Sequence, residues 1–277
     1  MIARRIERTL AYVLLVVIAI IGFAPFAVLA IISFKTRIQV LEVPPTLALD
    51  VDVIVRNYTG VIFDRGFLRY TVNSILVTTA SVGIALVLGT PTAYAFSRLR
   101  FRGRDRWATT ILSFRFMPPV AIAIPVLLMM RTIRLDDSMP GLILPYVAFS
   151  LPLTIWILIG FFDEVPRDLD DAALVDGCSR LDVLRLIMLP LVRPGLVVAA
   201  IFGAIFIWNE FLVGLYIVNS QDLKTIPLGA AGLISAQRPI DWNVAATIGI
   251  VTIIPIFIFS LFIQRYIVRG VTAGAVR

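Results

Sequence analysis

Histidine is absent from this 277-residue chain, and cysteine occurs once, at Cys178. No internal disulfide can form, and a zinc site of the Cys/His type has no ligand set. The commonest general base is missing as well. Lysine is confined to Lys35 and Lys224, neither in a glycine-rich stretch, and no G-x-x-x-x-G-K-[ST] phosphate cradle occurs. Charge is scarce, at 16% of residues, against about a quarter in soluble domains. These gaps argue against a zinc enzyme, a histidine-based catalyst and a chain that hydrolyses ATP by itself. No metal or cofactor is expected on this chain.

What is present is hydrocarbon: 59% of residues are hydrophobic and the mean hydropathy is +0.95. The apolar residues form long blocks, as in an integral membrane protein. A helix needs about 20 of them to cross the hydrocarbon. Six blocks qualify, near 10–34, 71–97, 107–130, 141–162, 195–218 and 245–268. The first is longer than the roughly 7–15 residues of a signal-peptide core, so a retained helix is expected. The expected fold is an all-α bundle of six transmembrane helices. It divides into 1–70, a first helix with an external loop, and 71–277, a five-helix core containing an inner loop at 163–194.

The net charge of +7 does not suggest nucleic acid, because the arginines flank the apolar blocks instead of lining one aromatic-studded face. The densest cluster, Arg98, Arg100, Arg102, Arg104 and Arg106, separates the second and third blocks and places that loop in the cytoplasm. By alternation the N-terminus, the 163–194 loop and the C-terminal tail lie inside as well. The loops 35–70 and 219–244 fall outside.

The 163–194 loop breaks the pattern. Asp163, Glu164, Asp168, Asp170, Asp171, Asp176 and Asp182 outnumber its arginines. Pro166 suits a helix start, and the acids after it suit the positive end of a helix dipole. Gly177 can end that short helix in a left-handed turn. Ser179 with Asp182 resembles a capping box for a second helix, running through Leu184 and Met188 towards Pro190. The loop therefore reads as helix, glycine turn, helix. An interfacial amphipathic helix is the plainer reading, but its polar face would normally be basic. An acidic face with two small alanines fits an element that docks into another protein.

The spacing is specific. Asp171-Ala172-Ala173, three residues, Gly177, nine residues and Ile187-Met188-Leu189-Pro190 resemble the cytoplasmic signature of ABC importer permeases. The family usually carries Glu where Asp171 stands. "MPP" at 117–119, "WNEFL" at 208–212, Asn57-Tyr58, Asn73-Ser74 and the ending "QRYIVRGVTAGAVR" extend the resemblance to the carbohydrate-importing, maltose-type permeases, and to the smaller six-helix partner among them. The resemblance implies a bacterial inner-membrane permease paired with a second permease. Two cytoplasmic ABC ATPase subunits would hold ATP and magnesium, and an extracytoplasmic solute-binding protein would deliver a sugar or oligosaccharide. Asp171, Ala172, Ala173, Asp176 and Gly177 would form the ATPase-coupling element, with Leu189 and Pro190 setting the re-entry into the fifth span. The tail after Arg269 would reach the ATPase, and "SAQRPIDWN" at 235–243 would offer a docking rim.

Arg115 and Glu210 are the intramembrane charges, where a charge generally faces a pathway or a partner. Counted from Trp107, Arg115 lies roughly 12 Å deep. Either the two pair, or Arg115 snorkels to the interface. With Trp208 and Asn209 they are candidates for the translocation path, helix packing being the alternative. Pro91, Pro118, Pro119, Pro125, Pro145, Pro152 and Pro255 are expected to kink or break helices. Two other readings compete. One keeps the permease but changes the cargo to a sugar alcohol or a phosphorylated or sulfonated sugar. The other is an ion-coupled secondary carrier, which discontinuous helices around an acid would support.

Overall fold

The computed structural model describes residues 2–44, 49–232 and 241–274, with side chains described for 7–44, 49–232 and 241–258. Part of the 235–243 rim and the last residues of the tail lie outside these. The described residues form helices and turns, with no strand among them. They divide into two compact units, one of Met1–Leu68 with Ala230–Phe257 and one of Arg69–Gly229 with Ile258–Arg277.

In the first unit, α1 (Ile2–Ser33) leads to α2 (Val51–Thr59). The loop between them is held by Asn57, whose side-chain amide donates to the carbonyls of Ser33 and Lys35, each at 2.9 Å. Those carbonyls are orphans of the helix end, which a side chain must satisfy once buried. α1 has a mean hydropathy of 3.0 over its best window, and none of that window is buried within the chain. A bare apolar cylinder of this size is stable only where lipid or another chain covers it.

The second unit contains α3 (Phe67–Arg98), α4 (Arg104–Ser113), α5 (Pro119–Thr132), α6 (Met139–Glu164), α7 (Asp168–Val175), α8 (Arg180–Leu191), α9 (Arg193–Trp208), α10 (Leu212–Ile217) and α11 (Ile226–Ala231). The central element is α6. Leu142 and Tyr146 near its start pack with Val213 and Ile217, and Leu158 and Phe162 near its end pack with Val183 and Met188. α9 runs against it closely: a Cβ on Gly195 would sit 2.4 Å from the Phe161 ring. The last helix, α12 (Trp242–Gly274), is 33 residues long.

The expected spans at 10–34, 71–97 and 141–162 are unbroken helices. The block at 107–130 is not a straight crossing: Arg104–Phe116 and Pro119–Thr132 meet at 96°. Consecutive prolines explain the bend. A residue before proline is pushed out of the helical region, and Met117 and Pro118 each precede one. Their ψ angles are 129° and 125°. The block at 195–218 is also interrupted, between Trp208 and Leu212. The re-entry turn does not lie at Leu189–Pro190, which continue α8. It lies at Val192, where α8 and α9 meet at 77° and Pro194 opens α9. Pro91, Pro125, Pro145, Pro152 and Pro255 stay inside continuous helices, so of the two expected outcomes, kink or break, none of them breaks its helix.

Candidate functional site

The acidic loop folds as a helical hairpin. α7 begins after Arg167 with Asp168, Asp170 and Asp171 in its first turn. It ends in a Schellman arrangement. The Gly177 N–H donates to the Leu174 carbonyl at 3.2 Å, and the Cys178 N–H donates to the Ala173 carbonyl at 3.0 Å. Gly177 has φ +89°, which favours glycine. Ser179 then caps α8: its hydroxyl accepts from the Asp182 N–H at 3.3 Å, while the Asp182 carboxylate accepts from the Ser179 N–H at 3.0 Å. The Ser179 hydroxyl, and after it the Ser179 N–H, hold the Asp182 carboxyl below the usual carboxylate range. Residues Val183–Met188 widen into a π-turn just before Pro190, which has no N–H to continue the regular ladder.

The hairpin has two faces. Asp171, Ala172, Asp176 and Gly177 are exposed, and so is Val175, at 87%. Ala173 is buried, and Leu174 is half-buried against the cluster around Phe162 and Met188. Leu189 packs on the same cluster, while Pro190 is exposed. An apolar underside thus fixes the hairpin to the bundle and leaves a smooth acidic top free. Asp170, read from the sequence only as a helix-start acid, is buried instead. Its carboxylate meets the Arg98 guanidinium at 2.6 Å. Helical spacing carries the signal: a residue three before buried Ala173 faces the same way, and one residue on, Asp171 points elsewhere.

The second candidate region lies where α9 stops. The Asn209 side-chain amide donates to the Ile205 carbonyl at 2.7 Å, closing the end of α9. Glu210 stands two residues before α10. Its carboxylate accepts from the Val213 N–H at 2.8 Å and the Gly214 N–H at 3.2 Å, and from the Tyr146 hydroxyl at 2.6 Å. A buried carboxylate at a helix start is favoured by the orphan amides and the helix dipole. Glu210 does not pair with Arg115. The Arg115 guanidinium lies 3.9 Å from the centroid of the Phe206 ring, a cation–π contact. Both residues line a groove of about 670 Å³ together with Asn209, Phe202 and Phe211. Trp208 is not part of its lining; it is half-buried, and its indole N–H has no hydrogen-bond partner among the described residues.

Two asparagines of the sequence pattern act alike. As Asn57 does in the first unit, Asn73 donates in the second to a pair of carbonyls, those of Asp222 and Lys224 at 2.8 and 2.9 Å. Ser74 beside it accepts from the Ile226 N–H at 2.9 Å. On the same side Asp137 accepts from the N–H groups of Asn219 and Ser220, each at 2.9 Å, and from the Ser220 hydroxyl. The Ser220 hydroxyl is the main cause holding the Asp137 carboxyl below its usual range, with the two N–H bonds adding to it. Spacing gave no hint of this clamp, because its halves are more than eighty residues apart.

Residues 81–273 match the family described as binding-protein-dependent transport system inner membrane component. The chain is 37% identical over 264 residues to the trehalose transport system permease protein SugB of Mycobacterium tuberculosis, covering 93% of this chain and 94% of that protein. It is 31% identical to the trehalose/maltose transport system permease protein MalG of Thermococcus litoralis, covering 98% of each. A chain in the crystal structure of a bacterial ABC transporter involved in the import of the acidic polysaccharide alginate superimposes with a TM-score of 0.80. That match is 24% identical and covers 95% of this chain and 97% of that one, which shows the shared fold.

Proposed function

Since the chain belongs to the family of binding-protein-dependent transport system inner membrane components, we propose that it is the permease subunit through which a sugar or oligosaccharide enters the cell. The observation that carries this reading is the hairpin at Asp168–Leu191. It is rigidly terminated, seated on the bundle by its apolar side, and exposed along Asp171, Ala172 and Val175. Such a surface suits docking by two cytoplasmic ABC ATPase subunits, one on this chain and one on a second permease. ATP and magnesium belong to those subunits. Closure of the ATPase pair would move the hairpins together and switch the membrane pathway between two states. An extracytoplasmic solute-binding protein delivers the cargo from the side of the Asn73 and Asp137 clamps. The arginine cluster 98–106 supports a cytoplasmic hairpin and cytoplasmic termini.

The interrupted α9–α10 pair is the feature that an ion-coupled carrier would also show. Here its acid is engaged by two N–H groups of a helix start and by the Tyr146 hydroxyl, so the break has a structural cause. The names of the relatives support a sugar as cargo. A phosphorylated or sulfonated sugar is the second reading; the observation in its favour is Arg115, which faces the groove with no carboxylate in ion-pair range among the described residues.

The test is to co-express the chain with a candidate second permease, ATPase and binding protein from the same genome, and to reconstitute the purified complex in liposomes. ATP-dependent uptake of the ligand that the binding protein retains is expected. Uptake by the chain alone, driven by a proton or sodium gradient, refutes the reading. The charge of the retained ligand decides between the two cargo classes.

A further inference from the structure

A buried ion pair calls for explanation, because well-packed apolar residues of similar volume generally stabilise a protein as much or more. The Arg98–Asp170 pair is such a case, with side chains only 5% and 9% exposed. Its surroundings are directional. Tyr94, one helical turn before Arg98 on α3, directs its hydroxyl at the other carboxylate oxygen of Asp170 at 3.4 Å. Arg98 also donates to the Val165 carbonyl at 2.7 Å, reaching the linker between α6 and α7. The neighbouring Ser97 accepts from Arg167 at its carbonyl, at 3.3 Å, and donates its hydroxyl to Asp163. Tyr94, Ser97 and Arg98 thus grip residues 163–170 through one close charge contact, Arg98 with Asp170, and directional hydrogen bonds on either side of it.

An apolar seat resists compression but slides easily. A charged, hydrogen-bonded one resists displacement along the surface as well. α7 has only eight residues, too few to be a stiff body unsupported. Covalently it joins α6; through Asp170 it also joins the end of α3. We propose that the Asp170–Arg98 pair is the strut by which movement of the hairpin reaches α3, so that Asp170 is a positioning residue for ATP-driven transport. Adjacent acids then divide the work: Asp171 faces outward to the ATPase, and Asp170 faces inward to the bundle. The inference rests on the permease reading above.

The experiment uses the complete reconstituted importer with Asp170→Asn, Asp170→Leu and Asp170→Glu. Asparagine keeps the volume and removes the charge; leucine offers the apolar alternative that suffices for packing; glutamate restores the carboxylate. Four quantities are read: co-purification of the ATPase subunits, melting temperature, ATP hydrolysis stimulated by loaded binding protein, and cargo imported per ATP. The ATPase subunits are expected to co-purify with the Asn and Leu variants. Cargo per ATP should fall about tenfold, within the roughly 5–150-fold range of a typical coupling free energy. Glutamate should recover most of it. Wild-type stoichiometry in Asp170→Leu overturns the proposal, and so does a loss of uptake in every variant that merely parallels a lower melting temperature or failed assembly. If the unaltered chain binds no ATPase, the permease reading itself fails, and the strut with it.

Discussion

Replacing Gly177 tests the hairpin most directly, because its effect can be divided into strain and volume. The residue has φ +89°, and a Cβ built there meets no atom of this chain within 4 Å. Volume therefore costs nothing inside the chain, and only the backbone objects. An L-residue in this left-handed conformation costs about 1–2 kcal/mol, asparagine less, and a β-branched residue more. About 1.4 kcal/mol corresponds to tenfold in the population of the native turn. Loss of the turn releases both carbonyls that it satisfies, those of Ala173 and Leu174, and frays a helix of eight residues. Uptake by the reconstituted importer should fall in the order Gly, Asn, Ala, Val, with alanine reduced about five- to thirtyfold and asparagine near the parent. The ATPase subunits should remain bound to the alanine variant. Should valine transport as well as glycine, the argument from φ is wrong. An order that follows side-chain size, with alanine best and asparagine as poor as valine, would put the constraint on the docked partner's surface instead.

Other expectations follow from the rest of the molecule. Glu210→Ala strands the Tyr146 hydroxyl and the Val213 and Gly214 N–H groups, and should lower stability by about 1–3 kcal/mol. Glu210→Gln keeps an acceptor and should lose less, as thermal unfolding in detergent will show. Replacing both Pro118 and Pro119 by alanine removes the cause of the 96° bend. Spin labels on α4 and α5 should then report a longer and broader distance, whereas an unchanged distance would assign the bend to packing. Asp137 has a depressed carboxyl pKa, so its contribution to holding Asn219 and Ser220 is present above the ordinary aspartate pKa and is lost as pH falls through its lower folded value. Amide exchange at Asn219 and Ser220, corrected for intrinsic pH dependence, should stay protected through the ordinary aspartate range and open below it. Asp137→Asn should open this clamp already at neutral pH.

The hairpin was legible in the sequence because its determinants are local. Gly177, Ser179 and Asp182 act within a few residues of themselves, and the chain places them as their chemistry requires. The long apolar blocks were equally plain. Their straightness was not: the same prolines that break one helix at 118–119 are absorbed inside others at 145 and 152. The difference at 118–119 is two in succession, which removes the helical option from both preceding residues. The roles of single charges were read only in part. Arg115 and Glu210 stand out in the sequence as intramembrane charges, a pair between them being only one option there, and the structure gives each a different partner. Trp208, two residues after the groove residue Phe206 on the same helix, is not among those lining it, because successive residues on a helix point about a hundred degrees apart.

The amino-acid sequence by itself determined the membrane class, the number of apolar blocks, the arginine cluster between the second and third of them and the form of the acidic hairpin, all from patterns spanning a few turns of helix. The tertiary structure alone decided that Asp170 is held by Arg98, that Glu210 takes the Tyr146 hydroxyl, and that Asp137 ties 137 to 220. Each of these pairs is separated by more than sixty residues. Which charge meets which donor depends on how the helices rotate and cross. Packing of whole apolar faces sets that geometry, and no short stretch of sequence encodes it.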